Sequence, residues 1–249
     1  MRINNGTFEE KEMILLLNDK SFDELGNNAK MFVKQVFGPM EPKRRIYAEK
    51  VDGFIKPDFV VRSNGEEYYI SMKSGTANVF HQENASKFAN YLHEKGVSKE
   101  CIDIILLYHY GDGTTDGSGK ERLPYHELMY RMKDQIKKAN FELNTNKELV
   151  KDTMERCIFA GTNNQQIHAD FIYHGNINFG VLVSHQQLMK HINMRDWLYM
   201  DNLHIGPLQL RPHARYVDRD IVDIKSRQSI DFYWANLFQD LEYISRRYD

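Results

Sequence analysis

The chain has 249 residues, 41% hydrophobic content, a formal net charge of −2 and two cysteines. This length and apolar content predict one large domain with a sizeable core, and they exclude a small disulfide-stapled scaffold. No window approaches the ~18 apolar residues that a membrane span requires, and the first residues lack the apolar run of a signal peptide. We therefore expect a cytoplasmic protein without a membrane partner, in which Cys101 and Cys157 are buried thiols.

Basic residues are concentrated in two stretches, 42–62 and 211–227. A net charge near zero does not decide whether they bind nucleic acid, because binding depends on where the charges lie. Each stretch either faces phosphate or forms a solvated surface, and the sequence leaves both interpretations open.

The first part of the chain predicts two helices followed by a β-hairpin. Thr7 can cap the first helix, and Asn64-Gly65 is a strong hairpin signal. The predicted helices cover 8–18 and 29–36, and the predicted strands cover 53–62 and 66–74.

The next segments predict a parallel crossover. Apolar residues at helical spacing over 81–95 indicate a helix that ends at Gly96. The apolar run 102–110, IDIILLYHY, is typical of a strand covered on both faces. Strand, helix and strand in this order indicate a mixed sheet.

The remaining pattern adds helices and short strands. We expect two amphipathic helices over 125–160, broken near 144–146, and a hairpin of 171–173 with 178–183 that turns at 174–176. A helix over 185–193, a strand around 208–210 and a terminal helix over 230–244 follow. We interpret 1–249 as a single domain in which 112–170 is a helical insertion or subdomain.

Asp58 and Lys73 are the residues of the predicted hairpin that indicate chemistry. Alternate strand residues share a face, so Ser71 and Lys73 point the same way, and Asp58 lies at a comparable height on the partner strand. A carboxylate that holds a divalent cation, beside an ammonium that orients water, suits the hydrolysis of phosphodiesters.

Pro57-Asp58, twelve intervening residues and Ser71-Met72-Lys73 resemble the motif of the PD-(D/E)XK nucleases. That superfamily includes most type II restriction endonucleases and the archaeal Holliday-junction resolvases. The resemblance covers about residues 6–110 and implies a restriction-endonuclease-like α/β core, with a central mixed sheet flanked by helices. It also implies a Mg²⁺-dependent enzyme that cuts double-stranded DNA as a homodimer, with Asp58 and Lys73 catalytic.

The family also places a metal-facing glutamate on its first helix. Gly6-Thr7-Phe8-Glu9-Glu10 is similar to the resolvase branch in the spacing of glycine and glutamate, and it points to Glu10. On a helix, Glu10 shares a face with Ile14 and Leu17. Glu9 and Glu12 remain alternatives.

Ser71 departs from the family, which has Asp or Glu at this position. Glu67 cannot substitute, because four residues of strand place it ~13 Å away. One alternative is a single-metal site formed by Asp58, Glu10 and the Met72 carbonyl. Others are a ligand relocated to Glu83 or Gln82, at the start of the following helix, and an inactive site.

Two further groups are candidates for nucleic-acid contacts. Asn78, His81 and Gln82 lie in the loop 76–82 after Lys73, close to the expected scissile bond. Arg211, His213 and Arg215 follow a short strand and could clamp phosphate or read a guanine edge. The alternative for this second group is a structural cluster paired with Asp218 or Asp220.

The sequence contains no HExxH or GxSxG motif, so a histidine-based metalloprotease and a serine hydrolase are disfavoured. Sequence-specific cleavage of duplex DNA, as in type II restriction enzymes, is the preferred function. The alternatives are an inactive nuclease-like module that binds nucleic acid, a repair or junction nuclease, and a structural or regulatory partner protein.

Overall fold

The computed structural model describes residues 5–53, 55–75, 78–119, 121–162, 167–176, 178–199, 201–213 and 224–248. The chain divides into two α/β units, each with its own sheet. The first unit comprises Met1–Asn78, Glu155–His191 and Asn236–Asp249, and the second comprises Val79–Met154 and Ile192–Ala235. The insertion expected over 112–170 stays a prediction.

The first unit contains a six-stranded mixed sheet in the order β1-β2-β3-β4-β6-β7. Among the described strands, β4 and β6 form its parallel pair, and the other neighbours are antiparallel. The strands are β1 (Lys20–Ser21), β2 (Arg45–Lys50), β3 (Phe59–Ser63), β4 (Glu66–Lys73), β6 (Phe171–Gly175) and β7 (Gly180–Ser184). The helices are α1 (Asn5–Leu17), α2 (Asn27–Phe37), α7 (His185–Met194) and α9 (Leu237–Tyr248), with α7 continuing past the end of this unit.

The β3–β4 hairpin is present as predicted, although its first strand begins at Phe59 and not at residue 53. Asn64 and Gly65 turn it with φ angles of 52° and 82°, the left-handed conformation that a tight hairpin turn requires. One face of the hairpin is apolar, and Ile70 and Met72 join the core formed with α1 and α2. Because side chains alternate, Ser71 and Lys73 lie on the opposite face.

The second unit contains a four-stranded antiparallel sheet in the order β5-β10-β9-β8. Its strands are β5 (Val79–Asn84), β8 (His204–Ile205), β9 (Leu208–Pro212) and β10 (Ser229–Trp234). Its helices are α3 (Ala85–Glu94), α4 (Lys99–Tyr110), α5 (Tyr125–Thr145), α6 (Lys147–Met154) and α8 (Ile224–Arg227). One face of β10 is fully buried through Ile230, Phe232 and Trp234, whereas Asp231 and Tyr233 lie on the other face.

The strand predicted over 102–110 is wrong, because this segment belongs to the helix α4. The Ser98 hydroxyl accepts a hydrogen bond from the Cys101 amide at the start, and Gly111 ends the helix with a φ of 62°. A run that is apolar on all sides fits a buried helix as well as a buried strand, and here the two capping residues decide. The crossover predicted through this segment is therefore also wrong.

Two predicted helices begin with strands in the structure. Residues 81–84 belong to β5, and α3 starts only after Asn84, whose side chain accepts from the Ser86 amide. Residues 230–234 belong to β10, and α9 starts at Leu237. Ile230, Trp234, Leu237 and Leu241 keep helical spacing across this boundary, which explains the wrong prediction.

The other elements agree with expectation. The first two helices, the α5–α6 break at Asn146, the β6–β7 hairpin and α7 are confirmed. A π-helical turn, Glu155–Ala160, follows α6. Among the described residues, no helix combines the length and apolar character needed to cross a bilayer.

Candidate functional site

Asp58 lies just before β3 and closes the end of the hairpin. Its backbone amide donates to the Ile70 carbonyl at 2.8 Å, and its carboxylate oxygen Oδ2 accepts from the Met72 amide at 2.6 Å. The Ser71 hydroxyl oxygen lies 3.5 Å from the same carboxylate oxygen. The Asp58 side chain thus accepts a hydrogen bond from β4 at the point where a backbone carbonyl would accept it if the β3–β4 pairing continued. This contact fixes the carboxylate beside Ser71 and Met72.

The Asp58 carboxylate is held in an unfavourable environment for its charge. Burial raises the pKa of this group above its ordinary value, while the Lys73 ammonium and the Met72 amide act against that rise. The direction means that loss of solvent outweighs the nearby positive charge. A carboxylate in this state gains from a bound cation.

Glu10 on α1 belongs to the same electrostatic cluster. Its pKa is raised first by burial and second by the negative charge of Asp58, and it is lowered by Lys50 and Lys73. The structure therefore brings Glu10, Asp58 and Lys73 together, with Ser71 and the Met72 backbone beside them. Glu9 and Glu12 are partly buried on the same helix, and Glu9 acts on Tyr173, whose pKa its charge helps to raise.

The donor set of this cluster suits Mg²⁺. This ion prefers oxygen ligands and is usually bound through one or two carboxylates, with waters completing its shell. Glu10 and Asp58 supply two carboxylates. Burial raises the pKa of both, and the charge of Asp58 raises that of Glu10 further. The Met72 carbonyl is a third oxygen donor. Ser71 is buried and uncharged, so it adds no negative charge to this set.

Within the described part of the chain, no three histidine, cysteine or acidic side chains are grouped as a metal centre. Two histidines and one glutamate of the first unit form an ion-paired set. His185 Nε2 lies 2.6 Å and His168 Nδ1 lies 3.5 Å from the two oxygens of Glu155. The hydrogen bond to Glu155 raises the pKa of His185, which fits a charge pair.

His174 is the residue near the cluster that sequence reasoning missed. It pairs with Lys73 in the parallel β4–β6 register, so the two side chains share a face. His174 is 7% exposed, its ring lies 5.6 Å from that of Phe238, and neither ring nitrogen has a hydrogen-bond partner among the described residues. The prediction of a turn at 174–176 hid this residue, which is part of β6.

Glu83 is not on the helix from which it was expected to reach the metal. It lies on β5 in the second unit, is 9% exposed, and has an oxygen 3.4 Å from His81 Nε2. The His81 ring also packs on Phe232, at 5.4 Å between ring centroids. The expectation that Gln82 and Glu83 open a helix is therefore wrong.

The other proposed nucleic-acid contacts meet on the polar face of the second sheet. Asp231 lies between Gln82 and Arg211 in register. Its carboxylate accepts from the Gln82 amide at 3.1 Å and lies 3.1 Å from His213 Nδ1. Asn78 lies just before β5, so the loop expected over 76–82 ends where the strand begins. Arg215, Asp218 and Asp220 lie outside the described residues.

Several described arginines of the two basic stretches are held in ion pairs. In the first, Arg44 contacts Glu66, and Arg62 contacts both Glu49 and Glu67. In the second, Arg227 lies 2.6 Å from the buried carboxylate of Asp112. Solvated or structural roles therefore account for these arginines without phosphate.

A scan against protein-family models gave no match, and a search of curated proteins gave no similar protein. The resemblance to the PD-(D/E)XK nucleases therefore depends on the motif residues themselves.

Proposed function

We propose that this protein is a Mg²⁺-dependent endonuclease that hydrolyses DNA phosphodiester bonds, with a restriction-endonuclease-like core in its first unit. The observation that carries the proposal is the cluster of Glu10, Asp58 and Lys73 at the end of the β3–β4 hairpin. Two carboxylates with raised pKa values beside one ammonium are suited to a divalent cation and a phosphate.

Each residue of the cluster would have its own role in hydrolysis. Glu10 and Asp58 would hold Mg²⁺ through their carboxylates, and Met72 would add its carbonyl. When bound, the ion supplies polarisation of the phosphate and a lower pKa for water. Lys73 orients the attacking water and stabilises negative charge on the phosphate oxygens.

Ser71 would hold the Asp58 carboxylate in place through its hydroxyl. Site-specific cleavage of duplex DNA by a homodimer is the subclass that we propose, because cutting both strands needs two such sites.

The test is digestion of supercoiled plasmid DNA with Mg²⁺ and with EDTA. The wild-type protein should convert the plasmid to nicked or linear forms only with Mg²⁺. Asp58→Asn and Lys73→Ala should each slow cleavage roughly a hundredfold or more, as expected for loss of a residue that acts on the reacting groups. Sequencing the cut ends would reveal a recognition site, and sedimentation would give the number of subunits.

Matched controls come from an exposed ion pair on α4, Lys99 and Asp103, whose charged atoms are 2.5 Å apart. Lys99→Ala and Asp103→Asn remove the same charges at the surface and should leave cleavage unchanged. Cleavage that persists at the wild-type rate in Lys73→Ala would refute the assignment of this cluster.

A nuclease-like module that binds nucleic acid without cutting is the second candidate. Ser71 favours it, because a cluster with two carboxylates in place of three binds a cation more weakly. This candidate predicts salt-dependent DNA binding in a band-shift assay, with no cleavage at any Mg²⁺ concentration. Cleavage that depends on Lys73 would exclude it.

A further inference from the structure

The second unit contains a cavity of about 350 Å³. It lies beside β9, which contributes Gln209, Arg211 and Pro212 to its lining. The side chains that matter for its chemistry are Tyr108, Arg122, Pro124, Tyr125, Gln209 and Arg211.

Gln209 supplies a hydrogen-bond donor to this cavity. It is 8% exposed, and its side-chain oxygen accepts from Arg211 Nε at 2.8 Å. Because the arginine can only donate, this contact fixes the amide with its oxygen towards Arg211 and its NH₂ group turned away. No described residue accepts from that NH₂ group, so it is available to donate to an acceptor on a ligand in the cavity.

Two guanidinium groups give the cavity a positive charge. Arg122 donates to the carbonyls of Tyr108 and His109 at the end of α4, with the Tyr108 contact at 3.2 Å. The Arg211 guanidinium carbon lies 3.4 Å from the centre of the Tyr233 ring. Both groups are therefore held in place, and none of the described residues that line the cavity is acidic. The positive charge of these two guanidinium groups favours an anionic ligand in the cavity.

Flat walls complete the cavity. The hydroxyls of Tyr108 and Tyr125 both donate to Asn202 Oδ1, with the Tyr108 contact at 3.4 Å. A shared acceptor restrains both rings, and Pro124 precedes Tyr125 at the start of α5. Aromatic rings and prolines bind planar ligands through their faces, and nucleobases stack on such rings.

We propose that this cavity binds one nucleotide, with the base against Tyr125 and the phosphate near Arg211. The Gln209 NH₂ group would donate to an acceptor on the base edge, such as a carbonyl oxygen or ring nitrogen. An acidic peptide would satisfy the arginines but would leave the flat walls without a matching surface. The inference goes beyond the proposed hydrolysis, because it concerns a second ligand site that lies wholly within the second unit.

The test is calorimetric titration of the wild-type protein in EDTA with dGMP, dAMP, dCMP and TMP separately. EDTA removes any cleavage, so the result does not depend on whether the protein is a nuclease. At least one nucleotide should bind saturably. Gln209→Leu and Tyr125→Ala should each weaken it about tenfold or more. Tyr130→Ala removes a tyrosine that is 85% exposed on the same helix and should bind as wild type.

A second set of titrations separates a free nucleotide from a nucleotide within a strand. An eight-nucleotide single strand is compared with the same strand carrying an abasic position. Tighter binding of the intact strand than of the abasic strand supports a nucleic-acid ligand, whereas preference for mononucleotides supports a free nucleotide.

Four results would overturn the proposal. These are no saturable binding of any nucleotide, equal binding by inorganic phosphate, preferential binding of an acidic peptide, and wild-type affinity in Tyr125→Ala, a variant whose exposed position spares the fold.

Discussion

Ser71 faces Asp58 across the end of the hairpin, at the position where a carboxylate would add a ligand to the proposed metal site. Ser71→Asp should add a third charge next to Asp58, and Mg²⁺ should then bind more tightly. We expect the Mg²⁺ concentration for half-maximal cleavage to fall by about tenfold, which corresponds to ~1.4 kcal/mol. Ser71→Asn is the matched control, since it has nearly the same size without the charge. Equal Mg²⁺ dependence in the two variants would contradict this view of the site.

Asp58 should destabilise the fold when no cation is present. A folded-state pKa above the ordinary value means that the folded protein binds this proton more tightly than the unfolded chain does. The ionised group therefore costs stability above its folded pKa, and this cost disappears as the pH falls and the group becomes protonated.

Asp58→Asn keeps an acceptor for the Met72 amide and removes the charge. In EDTA at pH 8 it should raise the free energy of unfolding, measured by urea denaturation, because the charge that burial disfavours is gone. The difference in the free energy of unfolding between Asp58→Asn and the wild type should vanish in acid. The control variant Asp103→Asn should not be more stable than the wild type at either pH. A variant that is less stable than wild type at every pH would disprove the argument.

At the scale of elements, Ser98 determines where α4 begins. Its hydroxyl accepts from the Cys101 amide at 3.1 Å, and it donates to Glu142 on α5 at 2.8 Å. Ser98→Ala should lower the free energy of unfolding by about 1 kcal/mol through loss of the cap, and by more if the Glu142 bond contributes. Ser118→Ala, in an exposed loop, should change stability by less than ~0.5 kcal/mol in the same thermal or urea unfolding. Equal effects would show that the cap does not stabilise α4.

The same capping residues explain which elements the sequence could predict. The β3–β4 hairpin follows from local turn chemistry and alternation, and it already places Asp58 near Lys73. Apolar residues fill the segment 102–110 without a period that would distinguish a helix from a strand. The helix cap at Ser98 and the helix end at Gly111 were therefore the informative signals. In the segment that contains β10, apolar residues keep helical spacing from the strand into the helix α9. Only the pairing of β10 with β5 and β9 shows that its first part is a strand.

Parts of the candidate site depend on pairing that no local pattern contains. His174 meets Lys73 only because β4 and β6 pair in parallel across a long stretch of sequence. Glu83 was expected near Lys73 because it follows closely in the chain, yet it belongs to another sheet. The helical face of Glu10 predicts that it lies towards the core, and its electrostatic interaction with Asp58 agrees with that placement.

At the scale of the molecule, two histidines with lowered pKa values should make stability depend on pH. Burial lowers the pKa of both His109 and His204 to about 4, from an ordinary value of 6.5. The unfolded chain therefore binds more protons than the folded protein below pH 6.5. The free energy of unfolding should fall as the pH drops from about 6.5 to about 4. Each residue should contribute on the order of 3 kcal/mol to this loss.

Urea denaturation between pH 7 and pH 4 measures this slope. His204→Phe keeps a ring stacked on Tyr199, which lies 3.9 Å away, and should flatten the slope. His126→Gln changes an exposed histidine on α5 and should leave it as in the wild type. An unchanged slope in His204→Phe would show that this ring is not the source.

The first unit is built from three separate stretches of chain, Met1–Asn78, Glu155–His191 and Asn236–Asp249. During synthesis, β4 leaves the ribosome long before its neighbour β6 exists, and α9, which packs on β7, comes last. Until β6 is synthesised, the β4 edge of the hairpin has no neighbouring strand. Exposed strand edges of this kind can pair with other chains and cause aggregation. Production at low temperature or with chaperones should therefore increase the soluble yield of this protein.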